Sequence, residues 1–499
     1  MGRVTRIRRN DLGRLHKAQG RILLYCLPFL YYNQDRQGQL KVREQVSVTK
    51  KRKYRVLSLF SGGMGLDLGL EQTGRFETVV CIEKEKAFCD TIRLNHSKGR
   101  LSRNLQILEA DISALDPKHV LNELKVDPES IDVVVGGPPC QSFSTAGRRG
   151  TTQDPRGTLL WDYLRFIQYI KPKIFLMENV RGLLSAALKH RPLTERPDQG
   201  GAPLTDEEMP GSVVNLFAQD LATLEGVGYH LDIFEVNAVN YGAPQLRERV
   251  LFIGNCYGRE IDFPQPTHGN DSPAKSKGSQ PSLFDEEAKI PWRTLGETIG
   301  DLEEENPVVL DFSPRKKSFL AMVPPGSNWR SLPVEVQIES MGKAWYAKGG
   351  RSGWWRRLTF DLPSPTLVTM PNHASTSLCH PTETRALSIR EYARIQEFPD
   401  EWEFSGTVSQ QYAQVGNAVP TRLGKVAGDV IATELDSIML NNLTPHKHPT
   451  SDPRIVYLQS HIRTRQWFKN GRVHVWSDGE DNNDASYALP KTIRKVKSI

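Results

Sequence analysis

The fold of this chain is decided by one stretch near its start, Tyr54-Arg-Val-Leu-Ser-Leu-Phe60-Ser-Gly-Gly-Met-Gly65-Leu-Asp-Leu-Gly-Leu70. Its first seven residues predict a buried β-strand, and the apolar spacing beyond Gly65 predicts a helix. Glycines in the turn between them let a ligand approach the backbone and the helix N-terminus. Because many α/β proteins keep such a turn for packing alone, the stretch indicates a ligand site only together with other residues.

The same alternation of strand and helix continues to about residue 258. Short apolar strands are predicted over residues 78–82, 105–108, 131–135, 174–177, 229–236 and 250–254, and helices over 159–170, 213–224, 388–396 and 420–439. Buried strands that alternate with helices are typical of an α/β fold with a doubly wound, mostly parallel sheet. Polar or glycine residues follow several of these strands, at the edge where open α/β sheets bind ligands.

The composition is that of a folded globular protein, with 38% hydrophobic and 25% charged residues among 499. This excludes a collagen, a coiled-coil rod and a wholly disordered chain. No apolar run is long enough to cross a bilayer and no signal-peptide pattern is present, so we expect no membrane partner. Six cysteines without paired spacing argue against a disulfide scaffold and a metal site, and favour a reducing, cytoplasmic location.

The net charge of +7 is unevenly distributed, because residues 1–55 hold 15 Lys and Arg against three acidic residues. Such an arm suggests a polyanion partner such as nucleic acid, although a merely solvated N-terminus explains the charge equally well. Changes in texture predict five parts: a basic arm over 1–53, a catalytic domain over 54–258, a smaller irregular domain over 259–384, a segment over 385–439 that completes both domains, and a polar extension over 440–499.

Two acidic or nucleophilic positions follow predicted strands. Glu83 lies 20 residues beyond Gly63, where an acid can hold two ribose hydroxyls. Residues 136–144 read Gly-Gly-Pro-Pro-Cys-Gln-Ser-Phe-Ser, a rigid turn that holds Cys140 at the sheet edge. A cysteine in that place is typical of a nucleophile. The zinc-deaminase motif needs a second cysteine three residues later, and Phe143 stands there instead.

Further candidates follow the next strands. Glu178 ends the strand beside the one that leads to Cys140, where its carboxyl could hydrogen-bond a heteroaromatic base or merely cap a helix. Arg247 and Arg249 alternate in Gln-Leu-Arg-Glu-Arg and are expected on one face of a strand. Arginine forks suit a base carbonyl or phosphates, although a surface ion pair is the simpler reading of either one alone.

Together these segments resemble the DNA (cytosine-5)-methyltransferases of the kind paired with bacterial restriction enzymes. Motifs similar to those of the family occur in family order across residues 54–436: 60–66, Glu83, Asp111, 138–141, 178–180, 245–249, 385–399 and 414–420. The chain departs from the pattern at Met64, where the family usually has glycine, and we expect that side chain to tighten the methionine end of the cofactor site. Residues 188–211 are expected to form a surface insertion.

The resemblance implies a class I, S-adenosylmethionine-dependent methyltransferase fold, described as Rossmann-like. It implies that the Cys140 thiolate attacks C6 of a flipped-out cytosine while a protonated Glu178 hydrogen-bonds N3. Arg249 is then expected to contact the base and Arg247 to support the catalytic loop. The segment 144–156 is expected to close over the base.

The resemblance also implies a set of binding residues. For S-adenosyl-L-methionine, with Phe60 on the adenine, Glu83 on the ribose and Asp111 on the adenine amino group, the set is Phe60, Ser61, Gly62, Gly63, Met64, Gly65, Leu66, Glu83, Asp111, Ile112, Pro138, Asn417 and Val419. For DNA it is Gln141, Ser144, Arg148, Arg149, Arg356, Arg357, Thr366 and Leu367, of which the Thr-Leu pair resembles the family's target-domain signature. Tryptophans such as Trp354 and Trp355 are more simply read as core.

The function implied is methylation of cytosine C5 in a specific short double-stranded DNA sequence, by a monomer that protects host DNA from a cognate restriction endonuclease. Two alternatives stay open: an RNA cytosine-5 methyltransferase, and a catalytically silent DNA-binding regulator. The size of the region 259–384 favours duplex DNA over RNA. The intact Cys140, Glu178 and Arg249 argue against a silent protein.

Overall fold

The computed structural model describes residues 32–34, 40–42, 52–139, 158–269, 289–346, 351, 353–449, 451–458 and 494–495. The chain has two compact units, Met1–Arg52 and Lys53–Ile499. In the first, β1 (Tyr32–Gln34) and β2 (Leu40–Val42) pair in antiparallel fashion. All that follows concerns the second unit. Within the described ranges, no helix has the length and apolar character needed to cross a membrane.

The second unit is built on a nine-stranded mixed sheet. Its strands are β3 (Tyr54–Leu59), β4 (Phe76–Glu83), β5 (Gln106–Glu109), β6 (Val133–Gly136), β7 (Ile174–Val180), β8 (His230–Asn237), β9 (Glu248–Asn255), β12 (Arg454–Tyr457) and β13 (Arg494–Lys495). Two residues each form the separate parallel pair β10 (His268–Gly269) and β11 (Ile290–Pro291).

The strand order in the sheet is β13-β12-β8-β9-β7-β6-β3-β4-β5. Neighbours are parallel except where β9 pairs with β7 and β8, and where β13 pairs with β12. The predicted α/β fold with a Rossmann-like, mostly parallel sheet is thereby confirmed. Because β3 has β4 on one side and β6 on the other, the chain order reverses at β3, and a crevice opens at the carboxyl ends of these strands.

The helices of the second unit are α1 (Gly65–Gln72), α2 (Lys86–Ser97), α3 (Pro117–Glu123), α4 (Leu159–Ile170), α5 (Ser212–Ala222), α6 (Leu295–Ile299), α7 (Pro314–Ala321), α8 (Val334–Met341), α9 (Ile389–Ile395), α10 (Val408–Asn417) and α11 (Thr421–Leu440). The four helices predicted over residues 159–170, 213–224, 388–396 and 420–439 correspond to α4, α5, α9 and α11, and each observed bound lies within two residues of the predicted one. Several begin with a reciprocal capping box, for example Ser388 with Glu391 and Thr407 with Gln410.

The apolar side chains form several clusters. The largest lies around the sheet, and a second joins residues 64–105 to residues 295–418. A third lies within residues 312–386 and contains Trp329 and Trp355. The interpretation of Trp354 and Trp355 as core residues is confirmed for Trp355, whereas Trp354 is partly buried against the same cluster. Because the second cluster is shared, part of the region 259–384 packs directly on the strands and helices that carry the glycine turn.

Helices α1 and α11 pack unusually closely, which brings residues from beyond position 417 against the beginning of the second unit. A Cβ atom added at Gly69 would lie 2.2 Å from the carbonyl oxygen of Thr421 and 2.6 Å from the Cα of Gly424. A Cβ at Gly65 would lie 2.2 Å from the carbonyl oxygen of Val419. Only glycine permits these approaches, and they place residues 418–421 beside the glycine turn.

Candidate active site

A cavity of about 640 Å³ opens at the carboxyl ends of β3, β4, β6 and β7. It is lined by residues of the turn after β3, by the ends of β4, β6 and β7, and by α10 with the loop that follows it. Its volume lies in the range of sites for small molecules and cofactors. The crevice expected from the strand order is therefore a real cavity, and the C-terminal part of the unit closes one side of it.

The cavity gathers almost all the residues that the sequence proposes for the cofactor. Those that line it are Phe60, Ser61, Gly62, Gly63, Gly65, Leu66, Glu83, Asp111, Ile112, Pro138, Asn417 and Val419. The exception is Met64, whose side chain is fully buried in the second apolar cluster. The expectation that Met64 tightens the cofactor site is corrected accordingly, because this side chain points into the core and not into the cavity.

The Glu83 carboxylate is fixed at the end of β4 by three backbone amides. Gly62 N–H donates to Oε2 over 2.9 Å, and the amides of Lys84 and Glu85 donate to Oε1, also over 2.9 Å. Gly62 has φ 53°, a left-handed conformation that suits glycine. Burial raises the pKa of Glu83, and the three amides oppose that shift. The result is an oriented acceptor at the turn, suited to the hydroxyls of a ribose.

Asp111 provides a second acceptor, one strand further along the edge. Its Oδ1 accepts hydrogen bonds from the backbone N–H of Ser113 over 3.0 Å and from the Ser113 hydroxyl over 2.6 Å. These bonds and the nearby Lys84 ammonium lower the pKa of Asp111. The carboxylate is thus ionised near neutral pH and lines the same cavity as Glu83.

Glu178 and Arg249 meet on the other side of the cavity. Arg249 Nε lies 2.5 Å from Glu178 Oε1, and both side chains are about nine-tenths buried. The turn after β6 is packed against this pair, since a Cβ at Gly137 would lie 3.1 Å from Glu178 Oε2. Asn179 Nδ2 donates to the carbonyl oxygen of Pro138 over 3.0 Å. The carboxyl ends of β6 and β7 and the start of β9 therefore present a buried carboxylate–guanidinium pair to the cavity.

Several candidates fall in the segment that follows this turn. Residues 140–157 lie outside the described part of the chain, and with them the expected closing segment 144–156. The candidates concerned are Cys140, Gln141, Ser144, Arg148 and Arg149.

Arg247 also lines the cavity, but its guanidinium is used inside the protein. It lies one residue before β9 and is only 2% exposed. Its two terminal nitrogens donate to the carbonyl oxygens of Leu367, Gly416 and Asn417 over 2.9–3.3 Å. Burial lowers the pKa of Arg247 well below its ordinary value. The side chain thus ties the Asn417 segment to the region around Leu367.

Two glutamines extend this arrangement, and the sequence reading gave them no role. Gln245 Oε1 accepts from the Leu367 amide over 3.0 Å, and Gln245 Nε2 donates to Gln396 Oε1 over 2.9 Å. Gln396 Nε2 donates to the carbonyl oxygens of Val415 and Ala418. Both glutamines are fully buried, so they fix the backbone beside the cavity. The sequence signal that indicates a role for both glutamines is their position within the motifs 245–249 and 385–399.

Comparison with known proteins agrees with this geometry. Residues 54–433 match the model of the family described as C-5 cytosine-specific DNA methylase. The chain belongs to that family. It is 37% identical to the Type II methyltransferase M.PspPI of Psychrobacter sp. (strain TA137) over 399 residues, which is 79% of this chain and 82% of that protein.

Two further relatives have a similar sequence identity to this chain. It is 37% identical to the Type II methyltransferase M.Sau96I of Staphylococcus aureus over 382 residues, 77% of this chain and 76% of that protein. It is 36% identical to the Type II methyltransferase M.Eco47II of Escherichia coli over 394 residues, 77% of this chain and 80% of that protein. The predicted family membership and the predicted enzyme class, a DNA cytosine-5 methyltransferase, are confirmed.

The methylase buries the arginines that the sequence proposes for reading DNA bases. Arg357 donates to the carbonyl oxygens of Leu320, His380 and Glu383 and to the Thr384 hydroxyl. Arg356 is 9% exposed, and burial lowers its pKa to about 10. The expectation that these two side chains reach guanine is corrected, because both guanidinium groups are enclosed by the protein.

The pair Thr366-Leu367 likewise faces inward, to the segment just before the strand β9. The Thr366 hydroxyl donates to the carbonyl oxygen of Leu246 over 2.6 Å, and the Leu367 side chain is buried in the second apolar cluster. In this conformation the pair connects the region 259–384 to the cavity wall through Gln245 and Arg247. Contact of either residue with DNA stays a prediction.

Proposed function

We propose that the chain transfers a methyl group from S-adenosyl-L-methionine to C5 of a cytosine within a specific short sequence of double-stranded DNA. The observation that carries this is the single cavity in which the Gly62–Glu83 arrangement lies opposite the Glu178–Arg249 pair. One side suits a nucleoside cofactor and the other suits a polar heteroaromatic ring. The type II names of relatives that are 36–37% identical support a role in a restriction–modification system.

The residues of the cavity fit the proposed cofactor. The glycine turn permits close approach of a ligand to the backbone, Phe60 offers an aromatic face, and Glu83 offers oriented acceptors for ribose hydroxyls. Asp111 is placed to accept from an amino group, and Asn417 and Val419 close the cavity from the other side. When bound, this cofactor supplies an activated methyl group. These assignments follow from the family resemblance together with the lining of the cavity.

The chemistry proposed for the chain's own residues starts at Cys140. Its thiolate forms a bond to C6 of the cytosine, which makes C5 nucleophilic, and Glu178 holds a proton at N3 so that charge does not build up on the ring. Arg249 donates to the base. After methyl transfer the proton on C5 is removed by a base and the carbon–sulfur bond breaks, which restores the thiolate.

The target cytosine has to leave the duplex, since stacked and paired bases hide C6. Extrusion of one base costs a few kcal/mol, and a polar pair such as Glu178–Arg249 offers partners for the edge that is unpaired. We propose that the chain acts in this way as a monomer, alongside an endonuclease that cuts the same sequence when it is unmethylated.

The test is base-resolution cytosine sequencing of a methylation-free bacterial host that expresses the full chain. We expect 5-methylcytosine within one short motif, and none in a host that expresses Cys140→Ala at the same level. Methylation that persists in the variant would remove Cys140 as the nucleophile. If the wild-type chain is folded and leaves the DNA unmethylated, the DNA proposal fails, and assays on tRNA and of DNA binding without methylation decide between the two alternatives.

A further inference from the structure

Asp67 is a buried carboxyl group at the cavity that neither the motifs nor the proposed mechanism uses. It lies in the first turn of α1, directly after the glycine turn, and lines the cavity. The residue is only 1% exposed. Its Oδ1 atom is buried and has no hydrogen-bond partner among the described residues. An acceptor of this kind at a ligand cavity has to be explained, because unsatisfied buried polar atoms are costly.

The described residues around Asp67 supply no positive charge that could pair with its carboxylate. On β3, Ser58 hydrogen-bonds the carboxyl, and Ser61 in turn donates to the Ser58 hydroxyl over 3.0 Å. The titratable groups whose charge acts on Asp67 are Glu71 on its own helix and Cys81 on β4. From α11, the closest approach to α1 is made by backbone atoms of Thr421, Gly424 and Lys425. Within the described ranges, no lysine or arginine forms an ion pair with Asp67.

This environment disfavours the ionised carboxyl while no cation lies in the cavity. Burial raises the pKa of Asp67 to about 7, against the opposing hydrogen bond from Ser58. An isolated buried carboxylate is unfavourable, whereas one that faces an opposite charge at close range is stabilised. A positively charged group inside the cavity would therefore supply the opposite charge that the described residues around Asp67 do not provide.

We propose that Asp67 is a further binding residue for the methyl donor and that its carboxylate pairs with a positively charged group of that donor. The inference rests on the proposed function, since S-adenosylmethionine brings two such groups, the sulfonium and the α-ammonium. The demethylated product keeps the ammonium and loses the sulfonium charge. A pairing with the sulfonium would therefore favour release of the product.

The pairing makes donor affinity depend on pH. Because a cation favours the ionised carboxyl, donor binding lowers the pKa of Asp67 from its value in the empty cavity. Affinity is then lost as the pH falls below about 7, and binding near pH 7 releases protons. Glu83 lies in the same cavity and also has a raised pKa, so a neutral ligand with the same adenosine part is needed as the reference.

The test is calorimetric titration of the full chain with three ligands that differ in charge. S-adenosylmethionine carries both cations, S-adenosylhomocysteine only the ammonium, and methylthioadenosine neither. For Asp67→Asn we expect about tenfold weaker binding of S-adenosylmethionine at pH 8, with methylthioadenosine changed less than twofold. An equal loss for S-adenosylhomocysteine identifies the ammonium as the partner, and a loss confined to S-adenosylmethionine identifies the sulfonium.

The matched control is Glu71→Gln, which removes a carboxylate from the same helix outside the cavity lining. At pH 8 it should leave the three affinities near those of the wild type, because losing the Glu71 charge can only lower the pKa of Asp67 from about 7, so that Asp67 is ionised at this pH with or without Glu71. Unchanged binding of S-adenosylmethionine by Asp67→Asn at pH 8, or an equal loss for all three ligands, would overturn the proposal. A wild-type chain that binds methylthioadenosine but gains nothing from either cation would overturn it too.

A measurement on the wild type covers the case in which Asp67→Asn does not fold. Titration in two buffers of different ionisation enthalpy gives the number of protons released at pH 7. We expect more release with S-adenosylmethionine than with methylthioadenosine, and equal release would contradict the proposal. If the folded wild-type chain binds none of the three ligands, the proposed function fails instead, which keeps the two failures distinct.

Discussion

At the scale of single residues, the site depends on charged side chains that are buried away from water. Glu178 and Arg249 are paired and nearly buried, while the hydrogen-bond acceptors of Arg247 among the described residues are backbone carbonyl oxygens and one glutamine oxygen. Removing one partner of a buried pair leaves the other charge uncompensated. Conservative changes at such positions should therefore separate binding from chemistry.

Glu178→Gln should abolish most methyl transfer while leaving the donor half of the cavity intact. The amide keeps the shape of the side chain, but it has no carboxyl group that can hold a transferable proton at N3 of the base. We expect a rate at least about a hundredfold lower, measured with labelled donor and a DNA that contains the target sequence.

Donor affinity measured in parallel should stay within about threefold of the wild type. A large loss of affinity together with an unchanged single-turnover rate would place Glu178 in donor binding instead.

Met64 offers a test of backbone strain against burial. Its φ of 67° is unfavourable for any residue but glycine, yet its side chain is fully buried. Met64→Gly relieves about 1 kcal/mol of strain and removes a side chain whose loss typically costs about 2–5 kcal/mol. We expect the free energy of unfolding to fall by roughly 1–3 kcal/mol, measured by urea titration; a more stable variant would show that strain dominates.

The sequence predicts which residues lie at the site better than it predicts where their side chains point. Glu83, Asp111 and Glu178 were predicted at the ends of strands, and the strands place them at one cavity. Arg356 and Arg357 were misread because arginines in a polar, irregular region resemble surface groups. The Arg357 guanidinium is held by carbonyl oxygens that lie 23 to 37 residues away along the chain, and no local sequence pattern indicates such contacts.

At the scale of elements, the cavity depends on how closely α1 and α11 approach. The strand pattern was readable because buried parallel strands are continuous apolar runs, and predicted bounds such as 78–82 lie inside the observed Phe76–Glu83. Helix α10 was missed because Val408–Asn417 is rich in glutamine and carries few apolar residues. Its packing partners, among them Thr91 of α2 through Gln414, come from far away along the chain.

Gly69→Ala should loosen the donor site through this helix contact. Its Cβ would lie 2.2 Å from the carbonyl oxygen of Thr421, so the two helices have to separate, and the gain in helix propensity of about 1 kcal/mol does not offset such a clash. We expect weaker donor binding and a free energy of unfolding lower by about 1–3 kcal/mol, measured by calorimetry and urea titration.

The matched control is Gly182→Ala, because a Cβ there meets no atom of the described ranges within 4 Å. Equal behaviour of the two variants would show that the close contact between α1 and α11 has no bearing on the site.

At the scale of the whole second unit, two short segments of the polar extension beyond residue 440, Arg454–Tyr457 and Arg494–Lys495, are strands of the sheet. Strand β12 adds to β8 in parallel register, with Arg454 opposite Asp232. Arg454 Nε lies 2.5 Å from Asp232 Oδ1, and Asp232 is fully buried. His230 beside it contacts Ser451 over 2.5 Å. A four-residue strand in a polar tail has too little pattern to be predicted, and its partner lies more than 200 residues earlier.

Arg454→Met should destabilise the unit by about 2–4 kcal/mol at pH 7, because it leaves the buried Asp232 with fewer partners. Burial raises the pKa of Asp232, but bonds from His230, Arg454 and the Ile261 amide lower it overall, below the ordinary 3.8. Stability from this lowered pKa is present above 3.8 and is lost as the pH falls further. The gap between variant and wild type, measured by urea titration, should therefore narrow in acid.

The residues that close the donor cavity are synthesised long after the glycine turn against which they pack. Gly69 and Gly424, which meet in the fold, are separated along the chain by 355 residues, or roughly 20–70 seconds of synthesis at common translation rates. A growing chain therefore carries its glycine turn without a finished cavity for most of its synthesis. We therefore expect donor binding to begin only when α11 has emerged, and we expect a chain truncated before α11 to lack donor affinity.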